Sequence, residues 1–282
     1  MRSFVAALAV ILGLLLSAVA VPAIWVDRNI VQEDGFVALA APLGKDPAFQ
    51  KGLATAAVGS IDAGATLPGP VAQLVRPVLE SAAASLTGLP EYPAAWEETL
   101  RKSHRLNFVD PATLPPEADS ATTLTLDVAP LVALATQQIS DKVGVPLEAP
   151  KQTLINIGQS SQRQLIERVS AYSPVGYSLA FGAGVAFLLA LVTARRRWKV
   201  LAVIGLGGLG LAGLWTLASG WASDAVTSTA SGNEMADLFK REFVAAAAGG
   251  FASWILATSV AGAILLAAGL LIRVIGRSAR RV

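Results

Sequence analysis

Residues 205–210 read Gly205-Leu206-Gly207-Gly208-Leu209-Gly210. They match G-x-G-x-x-G, the pattern whose free backbone amides cradle the pyrophosphate of a dinucleotide. That chemistry needs a strand before the glycines, a helix opening at them, and an acid about 20 residues further on. None of these is present. The glycines lie midway along the uncharged run Val200 to Gly220, and the next acid, Asp224, falls in a polar loop. Inside hydrocarbon the backbone must satisfy itself, so its N–H groups are not free for phosphate. The same glycines serve close helix packing, because small residues let backbones approach. Gly176, Ala180 and Gly184 in one neighbouring run, and Gly249 and Ser253 in another, predict further packing faces.

The other chemical candidates are sparse. His104 is the sole histidine and there is no cysteine, so a zinc site or a thiolate nucleophile lacks its ligands. His104 reads as a partly buried or exposed helix residue near Trp96 and Leu100. Glu97 and Glu98 are adjacent and point apart on a helix, which is poor geometry for paired acid–base work. Asp110, Glu117 and Asp119 share a proline-rich loop but lack calcium-loop spacing. Ser160-Ser161 lacks the nucleophile elbow. Arg195, Arg196, Arg197 and Lys199 sit between two apolar runs, where orientation in the bilayer and headgroup contact account for them. The predicted catalytic, cofactor and metal residues are therefore none, and the chain is read as not an enzyme. An enzyme acting on lipid would need Asp224, Glu234, Asp237 and His104 to converge.

The elements that carry these residues are set by hydropathy. The 282 residues are 54% hydrophobic and 15% charged, against about 25% charged in an average soluble chain. With a mean hydropathy of +0.57, this is a membrane composition. Four runs approach or exceed the roughly 20 residues that cross a hydrocarbon core: Ser3 to Trp25, Val175 to Ala194, Val200 to Gly220 and Val244 to Ile272. Arg2, the 195–199 cluster, Arg273, Arg277, Arg280 and Arg281 flank them with no acid nearby, while all 20 acids lie in 26–172 and 221–243. The positive-inside rule then predicts a multi-pass cell-membrane protein with both termini cytoplasmic and residues 26–172 extracytoplasmic. Ala18-Val-Ala20 resembles a signal-peptidase site, but the length of the first run and Trp25 favour an uncleaved anchor.

The predicted organisation is an N-terminal anchor (1–25), a small α+β extracytoplasmic domain (26–172) and a three-helix transmembrane bundle (173–282) with an external loop at 221–243. Within 26–172, Asp34 is placed as a helix cap, and Asp46-Pro47 as a cap followed by a first-turn proline. Apolar faces follow at Phe49, Leu53, Ala57 and Ile61, and again over 71–86. Residues 92–110 read as a helix. Residues 121–128 and 151–158 read as strands flanking a helix from about 130 to 143, an order that suggests a parallel pair. Ser160 to Ala171 reads as a helix leading to the membrane. In the 221–243 loop, Ser231 and Glu234 form a capping box. Met235, Leu238, Phe239 and Phe243 share a face on what reads as an outward extension of the fourth span rather than a separate surface helix.

The order "DGFVALAAPLGKDPAFQKGLATAAVGSI" (34–61), Trp96, "RKSHRLNFV" (101–109), "TLTLDVAPL" (123–131) and three closing spans resembles a family of uncharacterised actinobacterial integral membrane proteins. The resemblance implies one span before an external domain and three after it. It brings no activity and no site residues. The expected function is a non-enzymatic cell-envelope interaction or sensing protein, without cofactor. Its expected partners are the lipid bilayer and another membrane or envelope protein, with no nucleic acid. The alternative is an accessory subunit of a membrane transport or export complex.

Overall fold

The computed structural model describes residues 2–51, 85–108, 125–143, 148–156, 160–229 and 234–278. It is mainly helical. Helix α1 (Arg2–Val26) runs into a π-turn (Asp27–Val31). Helix α2 (Glu33–Ala40) and a 3-10 turn (Ala41–Lys45) follow. Then come α3 (Tyr92–Phe108), β1 (Thr125–Asp127), α4 (Ala129–Val143) and β2 (Leu154–Asn156). Helices α5 (Ser160–Tyr172), α6 (Val175–Thr193), α7 (Arg197–Thr227) and α8 (Glu234–Ser278) close the chain. Four helical stretches are long and apolar enough to cross a membrane: Arg2–Val31, Ile166–Thr193, Arg197–Thr227 and Asp237–Ile275.

The chain divides into two compact units. The first comprises residues 1–27, 171–224 and 247–282, and the second 28–170 and 225–246. In the first, α1 and α6 run antiparallel: Gly13 faces Phe187, and Gly176 faces Ala23 and Ile24. Helices α7 and α8 are also antiparallel, with Gly205 against Gly262 and Leu266, and Gly269 against Trp198 and Ala202. Small buried residues recur every seven positions, as Ala6, Gly13 and Ala20 in α1 and Gly176, Ala183 and Ala190 in α6. In α7 the pair is Gly205 and Ala212, and in α8 it is Gly262 and Gly269.

This spacing corrects two predicted faces. A Cβ built at Gly184 or Gly249 meets nothing within 4 Å, and Ser253 is exposed. A four-residue step overshoots a full turn by about 40° at 3.6 residues per turn, whereas a seven-residue step misses by only about 20°. A face defined by 176, 180 and 184 therefore wanders off the neighbour that 176, 183 and 190 keep.

The second unit is built on Trp96. This side chain is fully buried, and its indole N–H donates to the Ala40 carbonyl at 3.2 Å. Phe49 packs edge-on at 5.5 Å and Phe239 at 6.3 Å. A Cβ at Gly44 would overlap the Trp96 ring, so the 3-10 turn passes where only glycine fits. Asp46 caps the next helix as predicted, accepting the amides of Ala48 and Phe49 at 2.7 and 3.0 Å. The helix expected over 92–110 forms as α3. Residues 234–278 are one helix, so the region after 233 is continuous with the fourth apolar run rather than a separate helix, and its Leu238, Phe239 and Phe243 pack on the Trp96 core.

Two local expectations change. Asp34 does not cap α2. It falls inside the helix, which starts at Glu33 behind an extended Gln32 with no side-chain cap, and Phe36 N–H bonds to the Gln32 carbonyl. The strands pair antiparallel, with Thr125 opposite Asn156 and Asp127 opposite Leu154. Val128 N–H bonds to the Thr153 carbonyl and the Asp127 carboxylate accepts the Thr153 amide, which holds the entry to β2 beside the exit of β1. The capping residue Ser231, the loop acids Asp110, Glu117 and Asp119, and the apolar faces over 53–82 lie outside the described residues.

Candidate functional site

Helix α3 carries a dense set of polar contacts among the described residues of the second unit. Its stripe Tyr92, Trp96, Thr99, Leu100, Ser103 and His104 is buried, at the spacing of one helical face. His104 is 5% exposed. Its Nε2 lies 3.0 Å from the Ile30 carbonyl in the π-turn. A carbonyl only accepts, so Nε2 carries the proton. The ring stacks on Phe108 at 4.2 Å and tilts against Phe36 at 5.1 Å. Burial holds its pKa below the ordinary histidine value, against the opposing pull of the Ile30 carbonyl and Glu33. The imidazole is therefore neutral near pH 7, and it is enclosed rather than presented to a substrate.

An ion cluster lies beside it. Arg105 meets the Glu33 carboxylate through two bonds of 2.7 and 2.9 Å. Arg101 reaches Asp34 at 3.3 Å and Glu33 at 3.8 Å. The bond from Arg105 holds the Glu33 carboxyl below its usual range. These groups join α2 to α3.

One turn further on, Asn107 completes the edge of β1. Its amide donates to the Thr125 carbonyl at 2.7 Å and accepts the Thr125 N–H at 2.9 Å. Ser103 accepts the Asp127 N–H at 2.9 Å. The Asp127 carboxylate, 3% exposed, accepts the amides of Ala129 and Thr153 at 3.0 and 3.1 Å. It thus opens α4 and pins the entry to β2. Tyr92 lies in the same core, and burial pushes its hydroxyl pKa up to about 12.

The first unit holds one buried acid. Asp27 is 6% exposed and accepts the hydroxyls of Ser173 at 3.0 Å and Tyr177 at 3.1 Å, which ties the end of α1 to the start of α6. Deeper in the unit, an apolar cavity of about 170 Å³ is lined by residues of α1, α6, α7 and α8, among them Leu14, Phe187, Gly208, Trp215 and Gly262. Its hydroxyls are already engaged, Ser17 with the Gly13 carbonyl and Thr258 with the Trp254 carbonyl. The Trp215 indole donates to Ala18. This cavity answers the glycine pattern. Gly208 lines an apolar space, and Gly205 and Gly207 meet α8 and α1. All lie inside one continuous helix, so their amides serve the helix.

Two of the four residues named for lipid chemistry have other uses. His104 serves the π-turn, and Asp237 pairs with Lys240 at 2.9 Å. Among the described residues no three His, Asp or Glu side chains come together as a metal site would require. Asp27, Asp127 and Asn107 were not singled out in the sequence. For Asp127 the signal was available, as an acid two residues before a helix that opens Ala-Pro. Asp27 follows directly on an apolar run, and its partners, almost 150 residues away, left no local trace. Comparison of the chain with protein-family models, with curated proteins and with solved structures finds no match.

Proposed function

We propose that this chain is a non-enzymatic protein of the cell envelope, anchored by four spans, whose second unit contacts a protein, a glycan or the membrane surface, or senses one of them. In this reading both termini are cytoplasmic, residues 26–172 form an extracytoplasmic α+β domain, and the family resembled is the actinobacterial one. One observation carries it: three buried or half-buried polar side chains of the second unit, His104, Asn107 and Asp127, hold backbone. His104 holds Ile30, Asn107 holds Thr125, and Asp127 holds Ala129 and Thr153. A unit whose interior is used for architecture works through its surface.

The chain has no cysteine, so single cysteines are clean probes of sidedness. Cysteines at Lys45 and Lys151 are expected to react with an impermeant maleimide on intact cells, and one at Arg196 only after lysis. The reverse pattern overturns the topology. Photocrosslinkers at the same outer positions are expected to capture an envelope component.

A second reading, an accessory subunit of a transport or export complex, has an observation of its own. Gly210, Gly213 and Gly220 of α7 are exposed, with nothing within 4 Å of a built Cβ. They lie close to one helical face. A transporter recovered in stoichiometric amount in mild detergent favours this reading over the first.

A further inference from the structure

Three distant segments meet at one end of the bundle. Ala6 and Val10 of α1 pack with Ala190 of α6 and Val200 of α7. Gly269 of α8 lies so close to Trp198 that an added Cβ would stand 2.7 Å from the Trp198 carbonyl oxygen. Arg2, Arg195, Arg196, Arg197, Lys199 and Arg273 therefore share that end, and all six are exposed. The acids of this unit, Asp27 and Asp224, stand at the opposite ends of α1 and α7, roughly 37 and 40 Å away at 1.5 Å per residue. Among the described residues none of the six cations forms an ion pair.

Trp198 organises two of these charges. The Arg273 guanidinium lies 4.9 Å from its ring centroid and the Lys199 ammonium 5.7 Å, both within cation–π range. Tryptophan favours the depth of lipid headgroups. Immediately inward of the cations the surface is exposed hydrocarbon: Leu189, Val192, Leu270 and Leu271.

We infer that this end of the bundle binds anionic phospholipid, with the phosphodiesters on the arginine cluster and the acyl chains along α6 and α8. Clustered cations without protein counter-charge repel one another, and a phosphate relieves this while the arginine fork meets its oxygens bidentately. A nucleic acid or an acidic protein would answer the charge but leave the apolar rim uncovered. A two-chain anionic lipid answers both. Each cation near an anionic surface adds roughly fivefold to affinity.

The test uses the full-length protein in neutral detergent, offered phosphatidylglycerol and phosphatidylcholine in equal amounts. Lipid retention is read by native mass spectrometry and stability by thermal unfolding. Phosphatidylglycerol is expected to be retained at least tenfold over phosphatidylcholine and to raise the melting temperature, an effect lost in molar salt. The triple variant Arg195→Gln, Arg196→Gln, Arg197→Gln is expected to lose the preference. The same positions changed to Lys keep it, as does a matched triple on the second unit (Lys45→Gln, Lys151→Gln, Arg168→Gln). Equal retention of the two lipids by the wild type overturns the inference without requiring any variant to fold. So does an equal loss in the matched triple. Equal stabilisation by inorganic phosphate shows an ion site rather than a lipid site. Tighter binding of a short oligonucleotide than of phosphatidylglycerol shows the wrong occupant.

Discussion

In the first unit many of the buried positions are small, among them Ala6, Gly13, Ala183, Ala190, Gly205 and Gly262, whereas in the second the centre is Trp96 ringed by Phe49, Tyr92, Leu100 and Phe239. The polar groups differ in degree, since Asp27 and Trp215 of the first unit also reach across elements and Thr136 and Ser140 of the second bond within their helix. In the first unit Ser17, Thr258 and Ser259 bond to carbonyls of their own helix. In the second, Asn107, Ser103 and Asp127 reach from one element to another. Helices long and apolar enough to span a bilayer gain nothing from hiding apolar surface from lipid, so they associate by fit and need small residues at the contact. A unit that excludes water gains from burying large rings and from pairing the polar groups it encloses, although the Tyr92 and Thr99 hydroxyls have no partner among the described residues.

The comparison can be tested from its strongest contrast downward. Replacing Trp96 by Ala removes the centre of the second unit and its bond to Ala40. The expected loss is about 3–5 kcal/mol, visible as collapse of amide hydrogen-exchange protection across α2 and α3. Next is Gly205→Leu, whose Cβ would stand 2.5 Å from the Gly262 carbonyl. Overpacking of this kind costs about 1–3 kcal/mol, read from thermal unfolding in detergent. Gly210→Ala, at an open position, is expected to match or exceed the wild type. Equal losses at 205 and 210 would show that fit is not what holds these helices.

Asn107→Leu removes the bond that its amide oxygen accepts from the Thr125 N–H, and Thr125 is 2% exposed. A loss of about 1–3 kcal/mol is expected, with faster exchange at β1 and little change in the first unit. A smaller effect comes from His104. Its folded pKa lies below the ordinary value of 6.5, so the unfolded chain takes up the proton first. Its contribution is complete above 6.5 and falls as pH drops from there toward the folded value. Glu33, held below 4.5, loses its contribution only at more acid pH. Melting temperatures at pH 7.5 and 5.5 should therefore drop for the wild type and hardly at all for His104→Asn. A wild-type slope retained in the variant removes His104 from the account. Smallest is Glu33→Gln, whose partner Arg105 is largely exposed. It is expected to lie at the edge of detection and to vanish in molar salt.

Much of this was legible in the residues. The four runs, the helix at 92–108, the Asp46 cap and the continuity of α8 through Phe239 and Phe243 follow from hydropathy, capping and period, which act within a few turns of chain. The seven-residue recurrence at 6, 13 and 20 and at 176, 183 and 190 was also in the letters. The four-residue alternative at 180 and 184 matched equally well, and only the neighbouring helix distinguishes them.

What the amino-acid order determined by itself is where the chain is apolar, where it is helical, and which ends carry only cations. These are sums over adjacent residues. The tertiary structure decided that β2 runs against β1, that Asp27 meets Ser173 and Tyr177, that His104 meets Ile30, and that Arg273 reaches Trp198. Each of these contacts joins groups that local energetics cannot bring together, because their pairing exists only after the elements between them have packed.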